Sequence, residues 1–321
     1  MPHLGLQRIM IPGSQVSTLT TGAITLTGAK GSFVSQTRGI FSSGVGSGGT
    51  PANVIDYVTI ASTGNATSFG TMSVSRDRVG GGSSTTRAVF GGGYNVGTQY
   101  ATIDYITTAT AGNAVNFGSL TNARYAGTGC SSETRAIHAG GYNSAYLDQM
   151  EYVTIATTGN STSFGALTVA RANLAGCQSP TRGVFGGGYV SSALNTIDYV
   201  TTATTGNATT FGTLGTARAS IGGCSSTTRG LFAGSGTAGL IEYITIATTG
   251  NGTTFGNLSN SRANCGGASS STRGLFGGGS SLTTIIDYVT IATTGNAVSF
   301  GALTVARYDT QGVSEGQGSL D

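Results

Sequence analysis

Residues 172–218 read ANLAGCQSPTRGVFGGGYVSSALNTIDYVTTATTGNATTFGTLGTAR, and most of the remaining sequence repeats this stretch. The arginine of TRGVF returns as Arg38, Arg87, Arg135, Arg182, Arg229 and Arg273. The tyrosine of IDY returns as Tyr57, Tyr105, Tyr152, Tyr199, Tyr243 and Tyr288. Six copies therefore follow one another, at spacings of 44 to 49 residues. A period of that size marks a solenoid, a propeller or an array, in which one unit cannot bury a core and must stack on its neighbours.

Within a copy, NLAGCQS, TRGVFGG, TIDYVTT and TTFGTLGTA are short β-branched or aromatic runs separated by Gly, Asn and Ser. They predict four strands, a to d. None shows the i, i+3, i+4 spacing of a helix. Strand c is apolar on both faces at Ile197, Tyr199 and Val200, which suits a sheet packed between two others, as propeller blades are. The expectation is an all-β, six-bladed propeller with blades at about 30–76, 77–124, 125–171, 172–218, 219–262 and 263–307. An arm at 1–29 precedes it and a tail at 308–321 follows.

Charged residues make up 8% of the chain, against about a quarter in ordinary soluble domains. The surface must therefore be Thr, Ser, Asn and Gly. A net charge of +3, with twelve of fifteen Lys and Arg at two repeat positions spread around the structure, argues against nucleic acid as a partner. No apolar run is long enough to span a membrane, and MPHLGLQRIMIPGSQ lacks the apolar region of a secretory signal, which disfavours classical export. Cys130, Cys177 and Cys224 sit five residues before the Thr-Arg arginine, where the other copies carry Phe33, Gly82 and Ala268. Equivalent positions on neighbouring sheets lie about 10 Å apart, too far for a disulfide, so free thiols are expected.

The c-to-d link is Thr-Gly-Asn in five copies and Ala111-Gly112-Asn113 in the sixth, suited to the positive φ angles of a tight hairpin. A hairpin centred there brings the acid opening c to the arginine closing d. The expected structural ion pairs are Asp56 with Arg76, Asp104 with Arg124, Glu151 with Arg171, Asp198 with Arg218, Glu242 with Arg262, and Asp287 with Arg307.

The order of these features resembles the kelch repeat of galactose oxidase-like β-propellers: Gly-Gly ending strand b, Tyr199 on c, Phe211 on d, then Arg218 before the next strand a. The aromatic on d is never Trp, and the acid precedes the tyrosine instead of following it. The wording of the copies is also similar to that of Gly- and Thr-rich propeller proteins of marine bacteriophage virions. That resemblance implies a non-enzymatic structural or adhesive part of a phage tail or capsid, located in the virion, contacting other virion proteins and a host surface glycan or protein. The alternative is a secreted carbohydrate-binding or carbohydrate-active propeller.

Catalytic chemistry is not evident. Only His3 and His138 are present, and His138 replaces the Phe of TRGVF as a core substitution would. Six acids are assigned to ion pairs and the others, such as Asp77, Glu133 and Asp148, fall in different copies, whereas glycoside hydrolysis needs two carboxylates about 5–10 Å apart. GVFGGGY is followed by no helix and no Lys-Ser or Lys-Thr, so it is not a phosphate loop. No cofactor and no metal are expected. What varies between copies is the b-to-c loop, where Tyr94, Tyr100, Tyr142, Tyr146 and Tyr189 cluster on three successive blades. They either offer amphipathic contact area to a partner or cover their own loops. Leu4, Leu6, Ile9, Met10 and Ile11 form an apolar arm expected to dock on a neighbouring subunit of a multi-copy assembly, or on the propeller itself.

Overall fold

The structure, a computed structural model, describes residues 37–235 and 239–314. It is an all-β, six-bladed propeller of four-stranded antiparallel sheets. Blade 4 has strand a at Ala175–Gln178, b at Arg182–Gly186, c at Thr196–Thr201 and d at Thr209–Thr213, paired in that order. The other blades repeat this arrangement. The arm residues Leu4, Leu6, Ile9, Met10 and Ile11, and Phe33, lie outside the described residues.

Blade 1 departs from the continuous-segment expectation. Its strands Arg38–Ser42, Val54–Thr59 and Thr67–Thr71 are completed on the inner edge by Gln311–Ser314, from the stretch read as a tail. Val313 pairs opposite Ile40 as Cys130 pairs opposite Ile137, so Val313 takes the place assigned to Phe33. The ring is closed by the two ends of the described chain sharing one sheet.

The apolar core lies between blades. One cluster joins Val184, Ile197 and Phe211 of blade 4 to Ile221, Phe232 and Ile244 of blade 5, all buried. Because both faces of each sheet are covered, the strands read as apolar runs and not as clean alternation. Around the axis the inner strands meet at glycine. A Cβ on Gly129 would stand 2.1 Å from the Gly81 carbonyl oxygen, and one on Gly176 2.2 Å from that of Gly129. Gly223, Gly267 and Gly312 continue the series. Past the glycines, Ser131 donates its amide to Gln178 Oε1 at 2.7 Å, Gln178 to Ser225 Oγ at 3.0 Å, and Ser225 to Ser269 Oγ at 3.2 Å. Ser269 passes the series to Ser314 at 3.0 Å, and Ser83 closes it by donating Oγ to the Ser314 carbonyl at 2.8 Å and its amide to Ser131 Oγ at 3.0 Å. This circuit gives hydrogen-bond partners to the buried Ser and Gln side chains that follow the glycines.

Strand d is the outer edge of each blade, and the next blade covers it. Gly206 and Ala208 donate their amides to the carbonyls of Phe164 and Ala166, while Asn207 Oδ1 accepts from the Ala166 amide at 3.1 Å. The strand d glycine is required by this docking, since a Cβ on Gly165 would lie 2.2 Å from the Gly206 carbonyl oxygen. The Gly-Asn pair therefore does not adopt the positive φ expected of it; Gly206 and Asn207 are absent from the left-handed residues, and their role is to pair with a neighbour.

Side-chain volume is matched across each interface as well. The Cys130 thiol sits where Gly183 of the next blade has no side chain, and the same fit recurs at Cys177 with Gly230. Where the inner residue is Gly82, the facing residue is Ala136. A Cβ built on Gly183 falls 2.2 Å from Cys130 Sγ but 3.4 Å from Cys130 Cβ. Gly183→Ala should thus cost about 1–3 kcal/mol in urea unfolding, the range for overpacking, and markedly less in a Cys130→Ala background. Equal costs in both backgrounds would refute the matched fit.

Candidate binding face and the ties that build it

Each repeat arginine leaves strand d and crosses to the next blade. Arg76 pairs with Asp104 at 3.2 Å, Arg171 with Asp198 at 2.9 Å, Arg218 with Glu242 at 2.5 Å and Arg262 with Asp287 at 2.8 Å. Arg124 pairs with Glu151, and Arg307 closes the ring on Asp56 at 3.0 Å. The residues are those read from the sequence, but the partners are displaced by one blade. The physical reason is the position of the arginine: Arg218 lies five residues beyond strand d, in the segment already passing to blade 5, while Asp198 faces Thr210 within its own sheet.

These pairs are sealed, and Arg262 alone engages Nε as well; among the described residues the Nε of Arg76, Arg124, Arg171, Arg218 and Arg307 has no hydrogen-bond partner. Arg262 gives Nε to the Gly278 carbonyl at 2.9 Å and Nη2 to that of Phe276 at 3.0 Å, besides Nη1 to Asp287. The carboxylate takes further bonds from a residue three before the arginine: Ser259 amide and hydroxyl on Asp287, Thr168 on Asp198, Thr304 on Asp56. Burial lowers the pKa of Arg76, Arg124, Arg171, Arg218 and Arg307, opposed by the facing carboxylate. For Glu151, burial raises the pKa but is outweighed by Arg124 and by hydrogen bonds from Ser161 and Thr121, so it falls below its ordinary value.

The choice of Glu or Asp follows from space. Asp copies carry Ala after the Gly-Asn pair, whereas the Glu copies carry Ser161 and Gly252. Ser161 donates to Glu151, and a Cβ on Gly252 or Gly215 would stand 3.2 or 2.8 Å from Glu242 Oε1. The longer side chain thus occupies room that smaller or hydrogen-bonding neighbours leave.

The b-to-c and d-to-a loops share one side of the disc, the loop face. There Tyr94, Tyr142, Tyr146 and Tyr189 are brought together, with ring centroids 5.1 Å apart for Tyr142 and Tyr146 and 6.2 Å for Tyr146 and Tyr189. Tyr125, which sequence reasoning missed, links them: its ring is 4.9 Å from Tyr94 and 5.7 Å from Tyr142. It follows the repeat arginine, where three copies have Ala, and that difference was its signal. Tyr100 is not in this ladder; its amide donates to Gly93 and its carbonyl accepts from Arg124.

The ladder runs to the mouth of the axis. Arg78 lies over Tyr125 at 5.7 Å and pairs with Asp309 at 2.9 Å across the seam, with Asp77 at 3.8 Å. Arg78, Ala126, Asn173, Ser220, Asn264 and Asp309 ring the mouth, each with φ between 53° and 59°. Such left-handed geometry is unfavourable for residues with a Cβ. It is held by bonds between blades, in which Asn173 donates its amide to Ala126 at 2.7 Å and Ser220 to Asn173 at 2.8 Å. The cavity at this mouth has a volume of about 80 Å³. Burial raises Asp77 to about 6, opposed by Arg78 and aided by Asp309, and burial also raises Asp309 against the pull of Arg78. Among the described residues no group of His, Cys, Asp and Glu is arranged to hold a metal, and no helix is long and apolar enough to cross a membrane. All four cysteines are free and buried.

His138 is buried in blade 3 at the place of the usual Phe, with neither ring nitrogen hydrogen-bonded. Burial, then Arg124, lowers its pKa to about 4.

No protein-family model matches this chain, and no curated protein matches it.

Two predictions follow from these buried charges. Arg218→Ala should cost about 3–5 kcal/mol in denaturant unfolding, because it strands the buried Glu242 carboxylate. The coupling energy in a double-mutant cycle should appear with Glu242 and vanish with Asp198; the reverse result would restore the pairing within the blade. For His138 the unfolded state binds the proton more readily, from the ordinary value of about 6.5 down to about 4, so its neutral burial costs stability as pH falls through that window. Asp77 acts oppositely, stabilising the fold as pH falls through about 6. His138→Phe should therefore gain on the parent by about 3 kcal/mol between pH 7 and pH 4, read as the difference in unfolding free energy. A difference that does not change with pH would show that His138 is not buried neutral.

Proposed function

We propose that this protein is a non-enzymatic structural or adhesive component of a bacteriophage particle, built on a kelch-like propeller and working through protein or receptor contacts on its loop face. The observation that carries this reading is the division of labour among residues. Six acids are sealed as ties between blades, and five tyrosines form a continuous ladder on the outside of three blades. Tyrosine rings give large contact area at small loss of side-chain freedom, which suits recognition of a protein or glycan surface. The low-charge, Thr-rich rim serves as a spacer. The order of Gly-Gly, tyrosine, phenylalanine and arginine in each copy supports the kelch-like part of the reading, and the phrase similarity noted above supports the phage part.

A carbohydrate-binding or carbohydrate-active propeller is favoured by one observation alone, the meeting of Asp77 and Asp309 at Arg78 beside the mouth cavity. Arg78 holds Asp309 by a hydrogen bond at 2.9 Å, while Asp77 stands 3.8 Å from it with Oδ1 buried and unbonded, so the pair offers one unengaged carboxylate and not the two that glycoside hydrolysis uses.

The test is immunogold labelling of purified particles with antibodies against the propeller, combined with host adsorption by particles carrying Tyr142→Ala, Tyr146→Ala and Tyr189→Ala. Labelled particles that adsorb at least tenfold more slowly when the tyrosines are removed are expected. Particles that carry no label would overturn the reading.

A further inference from the structure

The d-to-a segments meet at the mouth of the axis, and their backbone and side chains are in different states there. Backbone bonds of 2.7 to 3.0 Å run from the Ala126 amide to Arg78, from Asn173 to Ala126, from Ser220 to Asn173 and from Asn264 to Ser220. Across the seam Arg78 donates Nε to Asp309 at 2.9 Å. The ring is therefore held stiffly in its left-handed geometry. Its side chains, by contrast, retain their hydrogen-bonding capacity. Among the described residues nothing bonds the side chains of Asn173, Ser220 and Asn264, which are half-buried, and Arg78 engages one of its five N–H donors.

These groups border the cavity of about 80 Å³, room for several waters at about 10–15 Å³ each. A ligand that replaces such waters must reproduce their hydrogen bonds. Asn and Ser both donate and accept, so the ring matches a ligand whose groups do the same. The positive charge of Arg78 is already met by Asp309 and, at 3.8 Å, by Asp77, so the mouth is not built for an anion. From Arg78 the rings of Tyr125, Tyr142, Tyr146 and Tyr189 lead away over blades 3 and 4. Their steps of 5.1 to 6.2 Å are about the length of one sugar ring.

We propose that the mouth and the ladder together bind a neutral glycan, with its terminal sugar set into the mouth and the following sugars lying along the tyrosines. Sugar hydroxyls donate and accept as the ring requires, and the C–H faces of a pyranose pack on aromatic rings. A ring of residues that surrounds its cavity admits the end of a chain or a branch and not the middle of a chain lying flat. A protein partner fits less well, because Asn, Ser, Arg and Asp edge the mouth where a protein anchor needs a dry apolar pocket. All the mouth residues named belong to the described chain, which begins at Thr37 and ends at Ser314 on the opposite side of the disc, with the a-to-b turns. The inference rests on the reading of the loop face as a contact surface and names the chemistry of the receptor.

Full-length protein is titrated by calorimetry with linear bioses and hexaoses of glucose, mannose, galactose and N-acetylglucosamine, and with hexagalacturonate. Expected is a neutral hexaose bound in the millimolar range or tighter, with affinity rising from biose to hexaose. Asn173→Ala with Asn264→Ala should weaken the hexaose at least tenfold, and Tyr146→Ala with Tyr189→Ala should remove the rise with chain length. Ala126 already holds this ring position in blade 3, so alanine is compatible with its backbone. Thermal melts matching the parent confirm that the variants are folded; if the mouth variant melts early, Asn173→Gly with Asn264→Gly, suited to positive φ, replaces it with the same expectation. No neutral hexaose bound, tighter binding of hexagalacturonate than of every neutral hexaose, or equal affinity in the folded mouth variant and the parent would overturn the proposal. Labelled particles that need the tyrosines for adsorption, from a protein that binds no hexaose, would keep the proposed function and turn the loop face to a protein receptor. Hexaose binding that depends on the mouth, with unlabelled particles, would keep the glycan site and overturn the particle assignment.

Discussion

A guanidinium cannot be left alone in an apolar interface, and this protein places one at every junction between blades. Arg262 at 3% exposure is accommodated because Asp287 and two backbone carbonyls of the following blade receive it. The arginine is contributed by one blade and completed by the next, so no blade satisfies its own buried charge. The requirement propagates around the disc until Arg307 finds Asp56, and only a closed circuit leaves no member unpaired. A buried ion pair adds little net stability over an apolar contact, but it penalises every arrangement in which the pair is broken. Here that penalty falls on rings that are open or out of register.

The strands were legible because the repeat exposes what each position tolerates. TRGVF and TIDYVT return six times with mainly apolar or small replacements, Gln149 and the Glu-for-Asp exchanges apart, and they form strands b and c where the sequence placed them. What a single chain does not display is which copy a residue faces. The acid of IDY and the arginine of TAR are 20 residues apart within one copy and 24 to 28 residues apart across copies, as for Glu242 from Arg218 and Asp104 from Arg76. Both spacings are compatible with contact until the path of the d-to-a segment is known. The same blindness assigned Gly-Asn to hairpin geometry, though Asn207 serves the edge of a neighbouring sheet. Phe33 and Val313 each precede a strand b position or follow the last strand d with suitable residues, and pattern alone prefers the one that is near in sequence.

The tyrosine ladder was legible in part for a related reason. Variation among loops pointed to Tyr94, Tyr142, Tyr146 and Tyr189, because function in a repeat protein concentrates where copies differ. Tyr125 sits in a d-to-a segment and Tyr100 in a b-to-c loop, so loop membership drew in Tyr100, which stands outside the ladder of rings, and passed over Tyr125, which links it.

The docking of each Gly-Asn turn has a consequence for how the molecule ages. Asn251-Gly252 is the sequence in which an asparagine side chain is most readily attacked by the following amide nitrogen to form a succinimide. In the ring that nitrogen donates to the Thr213 carbonyl at 2.8 Å, while Asn251 Oδ1 accepts from the Thr213 amide at 3.0 Å. Nucleophile and electrophile are both held by the neighbouring blade, and cyclisation must wait for the two blades to part. Conversion of Asn251 to aspartate and isoaspartate therefore acts as a slow clock, recording how often the junction between blades 4 and 5 has come open.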